Sequence, residues 1–305
     1  MRALVVALLV TGIGIGTVAA PSAARADTLT VGLFAPTAPF PSTPARLELA
    51  TKLGNALGAA LGGTGVGKVF ARAGDFQASV KKGDVTVALV DAAYLASAGG
   101  NYTVIAEATR GGESVHGWQL VARNADKISA LRGKHILVPS IGGREAEFLL
   151  NVLLGGEVGK DYFGKLEAAP DTASALAAIG LGKADAAVVP ASVDLPAGVV
   201  TVLKLPALAG PVLVAYGSVT PVQRATLATA ATAFHGDSTV GGFRAGDAES
   251  VRAIARRFSV PVKRGPLAVP AARLVVGDLV EGRTFTIERT AVTAFAIAPA
   301  AETKK

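Results

Sequence analysis

One segment of this chain is written twice, and the two copies limit the possible fold more than any other feature. Gly83 to Ala93 reads GDVTVALVDAA, and Gly182 to Ser192 reads GKADAAVVPAS, 99 residues later. Each copy has the outline of a glycine turn, a short apolar strand and a helix start. Each also follows a short helical stretch that opens at an acidic residue, Asp75 or Asp171. Continuous apolar strands flanked by helices belong to mostly parallel α/β sheets. Two equivalent units this far apart predict two similar α/β lobes, each with a loop at the end of a buried strand. Ligands of open α/β sheets bind at that strand end, so two facing lobes make a cleft.

The rest of the chain fits this plan. Leu29 to Phe34 is rich in β-formers and leads into a proline-rich loop, Ala35 to Pro41. Ser42 or Thr43 then caps a helix that has Pro44 at its first position. Leu47, Ala50, Leu53, Leu57 and Leu61 recur at helical spacing, which predicts a helix from 44 to 61. Gly62 to Gly67 reads as its end, and Lys68 to Ala73 as the second strand. Asp75 caps a short helix to Lys82, Val85 to Val90 is the third strand, and Asp91 caps a helix through Ala98. This β-α-β-α-β order implies parallel strands with helical crossovers. Tyr102 to Ala108 and Val115 to Arg123 are strands leading out of the first lobe. His135 to Val138, the helix 144–154, Leu166 to Ala168, the helix 172–179 and Ala186 to Val189 build the second. Val199 to Leu203 and Val212 to Tyr216 lead back. Helices follow from Thr220 to Phe234 and from Asp247, the latter burying Val251, Ile254, Ala255 and Phe258 and exposing Arg252, Arg256 and Arg257. Thr284 to Glu288 alternates as a strand.

Met1-Arg2, the apolar run from Ala3 and the Ala24-Arg25-Ala26 pattern read as a secretory signal, with the mature chain starting at Asp27. Glycines at 12, 14 and 16 interrupt the run, which is short for a membrane span. The chain has no cysteine. That excludes disulfides, thiolate metal sites, thiol nucleophiles and a lipid anchor on an N-terminal cysteine. The expected product is free in the periplasm. The formal charge is +7, or +5 without Arg2 and Arg25, and aromatic residues make up only 5%. Basic residues are not interleaved with aromatics, so nucleic-acid binding has no support.

Several motifs now stand in sequence. A signal precedes the Leu29 strand, and Asp91-Ala92-Ala93-Tyr94-Leu95-Ala96 follows a Val-Ala-Leu-Val strand. Leu131-Arg132-Gly133-Lys134-His135-Ile136-Leu137-Val138-Pro139 opens the middle section, and the run from Gly182 to Val189 closes it. In order and spacing this resembles the type II periplasmic substrate-binding proteins, and within them the phosphate/phosphite/phosphonate-binding group of ABC importers. The likeness covers about residues 29–234. It implies a two-lobed α/β fold, with residues 27–120 and 216–305 in the first lobe, the latter including a C-terminal extension, and 121–215 in the second. Two crossing strands, near Trp118 to Leu120 and Val214 to Tyr216, would join the lobes. The resemblance further implies a monomer without cofactor, which closes on a small ligand and passes it to an inner-membrane ABC permease.

Four loops are expected at the cleft: Ala35 to Thr37, Asp91 to Tyr94, Ser140 to Arg144, and Ala191-Ser192. Helix N-termini suit anionic oxygens. Thr37 and Ser140 offer hydroxyls, Gly142 and Gly143 admit close backbone approach, and Arg144 offers a charge-assisted pair. The candidate ligand-binding residues are therefore Thr37, Asp91, Tyr94, Ser140, Gly142, Gly143, Arg144 and Ser192. The ordinary alternatives are a solvated first-turn position for Arg144, helix packing for Tyr94, and a core or hinge place for Trp118. Asp91 would oppose an anion unless it turns into the helix cap. The second-lobe loop matches the phosphonate-binding pattern only at Ser140.

Other signals are set aside. Gly62 to Val69 nearly spells a P-loop, but it lacks the hydroxyl residue and follows a helix instead of a strand. Ser79 to Lys82 matches a Ser-x-x-Lys pair without its companion motifs. His116, His135 and His235 are scattered, without metal-ligand spacing. No nucleophile elbow or carboxylate pair marks an enzyme. A periplasmic carrier of apolar, lipid-like ligands and a sensing module for a membrane receptor remain as alternatives.

Overall fold

The computed structural model describes residues 28–217 and 219–259. The signal segment, the 284–288 strand and the tail lie outside the described residues. The strands are β1 (Thr28–Phe34), β2 (Thr64–Val69), β3 (Val87–Asp91), β4 (Tyr102–Thr109), β5 (Val115–Ala122), β6 (His135–Pro139), β7 (Lys165–Ala169), β8 (Ala186–Pro190), β9 (Val200–Ala209), β10 (Pro211–Tyr216) and β11 (Gly242–Ala245). The helices are α1 (Thr43–Ala60), α2 (Ala73–Lys82), α3 (Ala92–Ala98), α4 (Glu145–Glu147, continued as a π-helix over Phe148–Leu153), α5 (Thr172–Gly180), α6 (Pro221–Thr232) and α7 (Glu249–Phe258).

The strands form two sheets of matching design. One runs β11-β4-β10-β3-β1-β2, and the other β9-β5-β8-β6-β7. In the first, β1 pairs in parallel with both β2 and β3, and β10 is antiparallel to β3 and β4. In the second, β6 pairs in parallel with β7 and β8, and β5 is antiparallel to β8 and β9. The repeated segment supplies the equivalent strands β3 and β8, both buried along their whole length. That burial explains why both read as unbroken apolar runs.

The chain passes between the sheets at residues 110–114 and at Gly210, earlier in sequence than the crossings expected near Trp118 and Val214. The Gly210 amide donates to the Ser114 carbonyl at 2.8 Å, which ties the two crossings together. The first crossing opens with a tight turn in which Arg110 and Glu113 bridge each other. Its central residues, Gly111 and Gly112, have φ of 60° and 85°. Glycine adopts such a pair without strain.

Local chemistry explains the helices and several departures from the sequence reading. Ser42 caps α1, accepting the Ala45 amide at 3.3 Å, and Thr220 and Gln223 form a reciprocal capping box on α6. Asp171 caps α5 through the Ser174 amide, but Asp75 lies inside the first turn of α2 and caps nothing. The Gly62 to Gly67 segment does more than end a helix, because β2 begins at Thr64. Gly65 and Gly67 let this strand lie directly on Gly54, Gly58 and Ala50 of α1, where a Cβ would overlap backbone. After β8 the repeat breaks down: Ala191 to Ser192 is a turn, with no helix. Strand β11 was not read from the sequence, being short and pairing only at the sheet edge.

Three apolar clusters hold the layers. One fills the α1/α6 face of the first sheet, and another the α5 face of the second. The third contains Phe34, Phe76, Tyr94, Trp118, Phe148 and Phe258, drawn from both lobes. Helix α7 belongs to this third cluster and packs on α3 of the first lobe and on the π-helical segment of the second.

Candidate functional site

The two lobes meet along α3 and separate opposite it. On the α3 side, Ser97 donates its hydroxyl to the Ile141 carbonyl at 2.9 Å. A Cβ at Gly142 would stand 3.0 Å from the Tyr94 ring, and Gly142 has φ 89°, so this contact needs glycine twice over. On the other side lies a cleft of about 540 Å³ between the β1–α1 loop and the first turn of α5. Phe40, Thr239, Arg110, Thr172, Leu176 and Ser192 are among its walls. Beside it, sharing Pro39, Arg110 and Thr239, lies a chamber of about 30 Å³ bounded by Thr37, Arg110, His116, Trp118 and Pro190. That is room for a water or two.

Of the residues singled out from sequence, Thr37 and Ser192 border this space. Asp91 stands directly behind it. It is 1% exposed, and its Oδ2 accepts the Thr37 amide at 2.8 Å. It sits at the N-cap position of α3 without bonding the helix, contrary to the expected cap. Burial pushes its pKa up to about 7, while the Thr37 hydrogen bonds and the charge of Arg46 pull it only part of the way back. Tyr94 is buried on the closed side, edge-on to Phe34 with centroids 4.8 Å apart.

Ser140, Gly142, Gly143 and Arg144 do not line the cleft. The backbone amides of Ile141 and Gly143 both donate to Glu145 Oε1 at 3.0 Å, so the loop's own carboxylate takes the donors that an anion would have used. Arg144 lies 4.7 Å above the Phe258 ring and pairs with Glu147 at 3.5 Å.

Arg110, His116 and Trp118 are the cleft residues that sequence reasoning passed over or explained otherwise. Arg110 had a signal, the Arg-Gly-Gly-Glu turn between two strands. Burial works against its charge, and among the described residues it forms no ion pair. Burial and then the Arg110 charge hold the His116 pKa below its usual value. Trp118 is 6% exposed and packs edge-on against Phe148 with centroids 5.5 Å apart. Among the described residues, no three His, Asp or Glu side chains converge to hold a metal ion. None of the described helices is long and apolar enough to cross a membrane.

No family model and no curated protein matches the chain. Solved structures do. PhnD1 from Prochlorococcus marinus in complex with methylphosphonate superposes with a TM-score of 0.61 at 13% identity, covering 76% of this chain and 97% of that one. A binding protein component of an ABC phosphonate transporter from Pseudomonas aeruginosa gives 0.61 at 11% identity, over 75% and 85%. XAC2383 from Xanthomonas citri bound to ATP gives 0.58 at 13% identity, over 76% and 96%. At these identities the likeness is one of fold. The chain has the two-lobed α/β architecture of the type II periplasmic binding proteins, as the resemblance in its sequence implied.

Proposed function

We propose that this chain is an exported solute-binding protein that captures a small oxyanion, a phosphonate or a phosphate ester, between its lobes for an ABC importer. The observation that carries this reading is Arg110. It is a half-buried guanidinium on the cleft wall, with no carboxylate paired to it among the described residues. A desolvated cation without a counterion is stabilised by an anionic guest. The hydroxyl-bearing residues Thr37, Thr172, Ser192, Ser238 and Thr239 line the same space. Thr172 and Ala173 of the first turn of α5 line it, and the Asp171 carboxylate that caps this turn is paired with Arg46. Asp91 opposes the anion less than an ordinary carboxylate would, because burial favours its protonated, neutral form. The phosphonate-binding proteins among the similar folds support the ligand class. The reading needs no catalytic step.

Titration calorimetry against alkyl phosphonates, phosphate monoesters and inorganic phosphate tests this. Heat with at least one, lost in Arg110→Gln, is expected. Silence across the panel would remove the oxyanion. A second reading rests on Pro39, Phe40, Trp118, Leu176 and Val193, the apolar part of the lining. An apolar, lipid-like ligand would occupy that part, and native mass spectrometry of protein taken straight from its host would weigh it.

A further inference from the structure

Arg46 projects from the first turn of α1 and bonds to the second lobe, its Nη2 3.3 Å from Asp171 Oδ2. Both side chains are largely buried, 14% and 25% exposed. Asp171 is also the cap of α5, and Arg46 lies 5.6 Å over the ring of Phe40. Phe40 and the first residues of α5 are opposing walls of the cleft. The ion pair therefore ties the two lobes together beside the cleft.

Two buried polar atoms on the first lobe lack partners in this arrangement, Arg46 Nε and Asp91 Oδ1. One is a donor and the other an acceptor, and each is costly to leave unpaired. Both are moored to the same short loop. Thr37 bonds the other oxygen of Asp91, and Phe40 carries Arg46. The Arg46 charge already acts on Asp91. When the lobes part, Asp171 leaves with α5. Arg46 would then keep a largely buried charge without a counterion, unless its own lobe supplies one.

We propose that Arg46 is an exchange latch, which holds the lobes closed through Asp171 and moves to the free oxygen of Asp91 when they open. Ser97 follows the same logic on a smaller scale. Its single hydroxyl proton lies between the Ile141 carbonyl of the other lobe and the Tyr94 carbonyl of its own helix, at 2.9 and 3.0 Å, so it keeps an acceptor on opening. The latch rests on the solute-binding reading only in giving closure a purpose; the exchange itself needs no ligand.

The absence of cysteine makes the test direct. Spin labels at Lys52→Cys in α1 and Lys165→Cys in β7, both exposed sites, report the interlobe distance in the full chain without added ligand, above pH 8, where the Asp91 carboxyl is ionised. Asp171→Asn keeps a helix-capping oxygen but loses the charge. It should raise the long-distance population relative to the short one by about fivefold, the scale of a weak ion pair. Asp91→Asn should shift the same ratio toward the short distance. Arg46→Ala should abolish the effect of either; if it does not fold, the two aspartate variants suffice. An unchanged distribution in Asp171→Asn, or a shift of Asp91→Asn toward the long distance, would overturn the latch. A failed ligand panel with these shifts intact would remove the oxyanion reading alone.

Discussion

Asp91 and Thr37 are 54 residues apart in sequence, yet the Asp91 carboxylate receives the Thr37 amide at 2.8 Å with almost no exposure to water. A strand end of the first lobe thereby holds the loop that borders the cleft. Burial raises the Asp91 pKa from 3.8 to about 7, so the folded state keeps a proton that the unfolded state has released. The contribution is fully present below the ordinary carboxylate range and is lost as pH rises toward 7. Asp91→Asn cannot ionise, so its stability relative to the wild type should grow between pH 4 and 8. Every tenfold difference in proton affinity between the folded and unfolded states is worth about 1.4 kcal/mol, which puts the upper bound at roughly 4 kcal/mol. Urea melts at several pH values measure this, and a difference independent of pH would contradict it.

Arg110→Gln should weaken oxyanion binding by about 1.5–3 kcal/mol, the worth of a hydrogen bond to a charged group. The melting temperature should hardly move, since Arg110 has no ion pair to lose among the described residues. Arg144→Ala makes the opposite case. Its guanidinium stacks on Phe258, away from the cleft, so affinity should stay put while stability falls by about 0.5–1 kcal/mol. Calorimetry and thermal melts on the same two variants separate these outcomes.

Gly65→Ala should be among the more damaging small substitutions in the chain. A Cβ there would run into the Gly54 carbonyl of α1, and backbone has nowhere to retreat. The expected loss is about 1–3 kcal/mol or more. Gly74→Ala, in the first turn of α2, meets nothing within 4 Å and should be neutral or stabilising. Denaturant midpoints for the pair compare a close approach with a free surface.

Arg244→Ala should destabilise by about 1–3 kcal/mol, because it strips the charge partner from a buried carboxylate. Arg244 bonds Glu107 through two nitrogens, at 2.9 and 2.7 Å, and Glu107 is 5% exposed beside the first crossing. Ser114 Oγ, at 3.0 Å, would be its remaining partner. In a double-mutant cycle with Glu107→Gln, near-additive losses would deny the coupling.

Much of the architecture was legible because it rests on local chemistry. Apolar runs, glycine stops and Ser42, Asp171 and Thr220 caps are short-range signals, and the twin segments at Gly83 and Gly182 announced matching lobes. The site was less so. Ser140, Gly142, Gly143 and Arg144 sit at the end of a parallel strand, as a binding loop would, but Glu145 turns back onto the amides and Tyr94 fills the space before Gly142. No spacing rule reports such occupancy. Arg110 was missed for the converse reason: a Gly-Gly turn marks a bend and says nothing of the cavity it faces.

By itself, the sequence determined the α/β order of elements, the pairing of two equivalent halves and the absence of any thiol chemistry, since periodicity, capping and composition act over a few residues. Tertiary structure alone decided which side of the interlobe gap is sealed and which is open, that Asp91 serves Thr37 instead of α3, and that Arg46 reaches Asp171 125 residues away. Those outcomes depend on burial and on partners from distant segments, and both exist only once the lobes have packed.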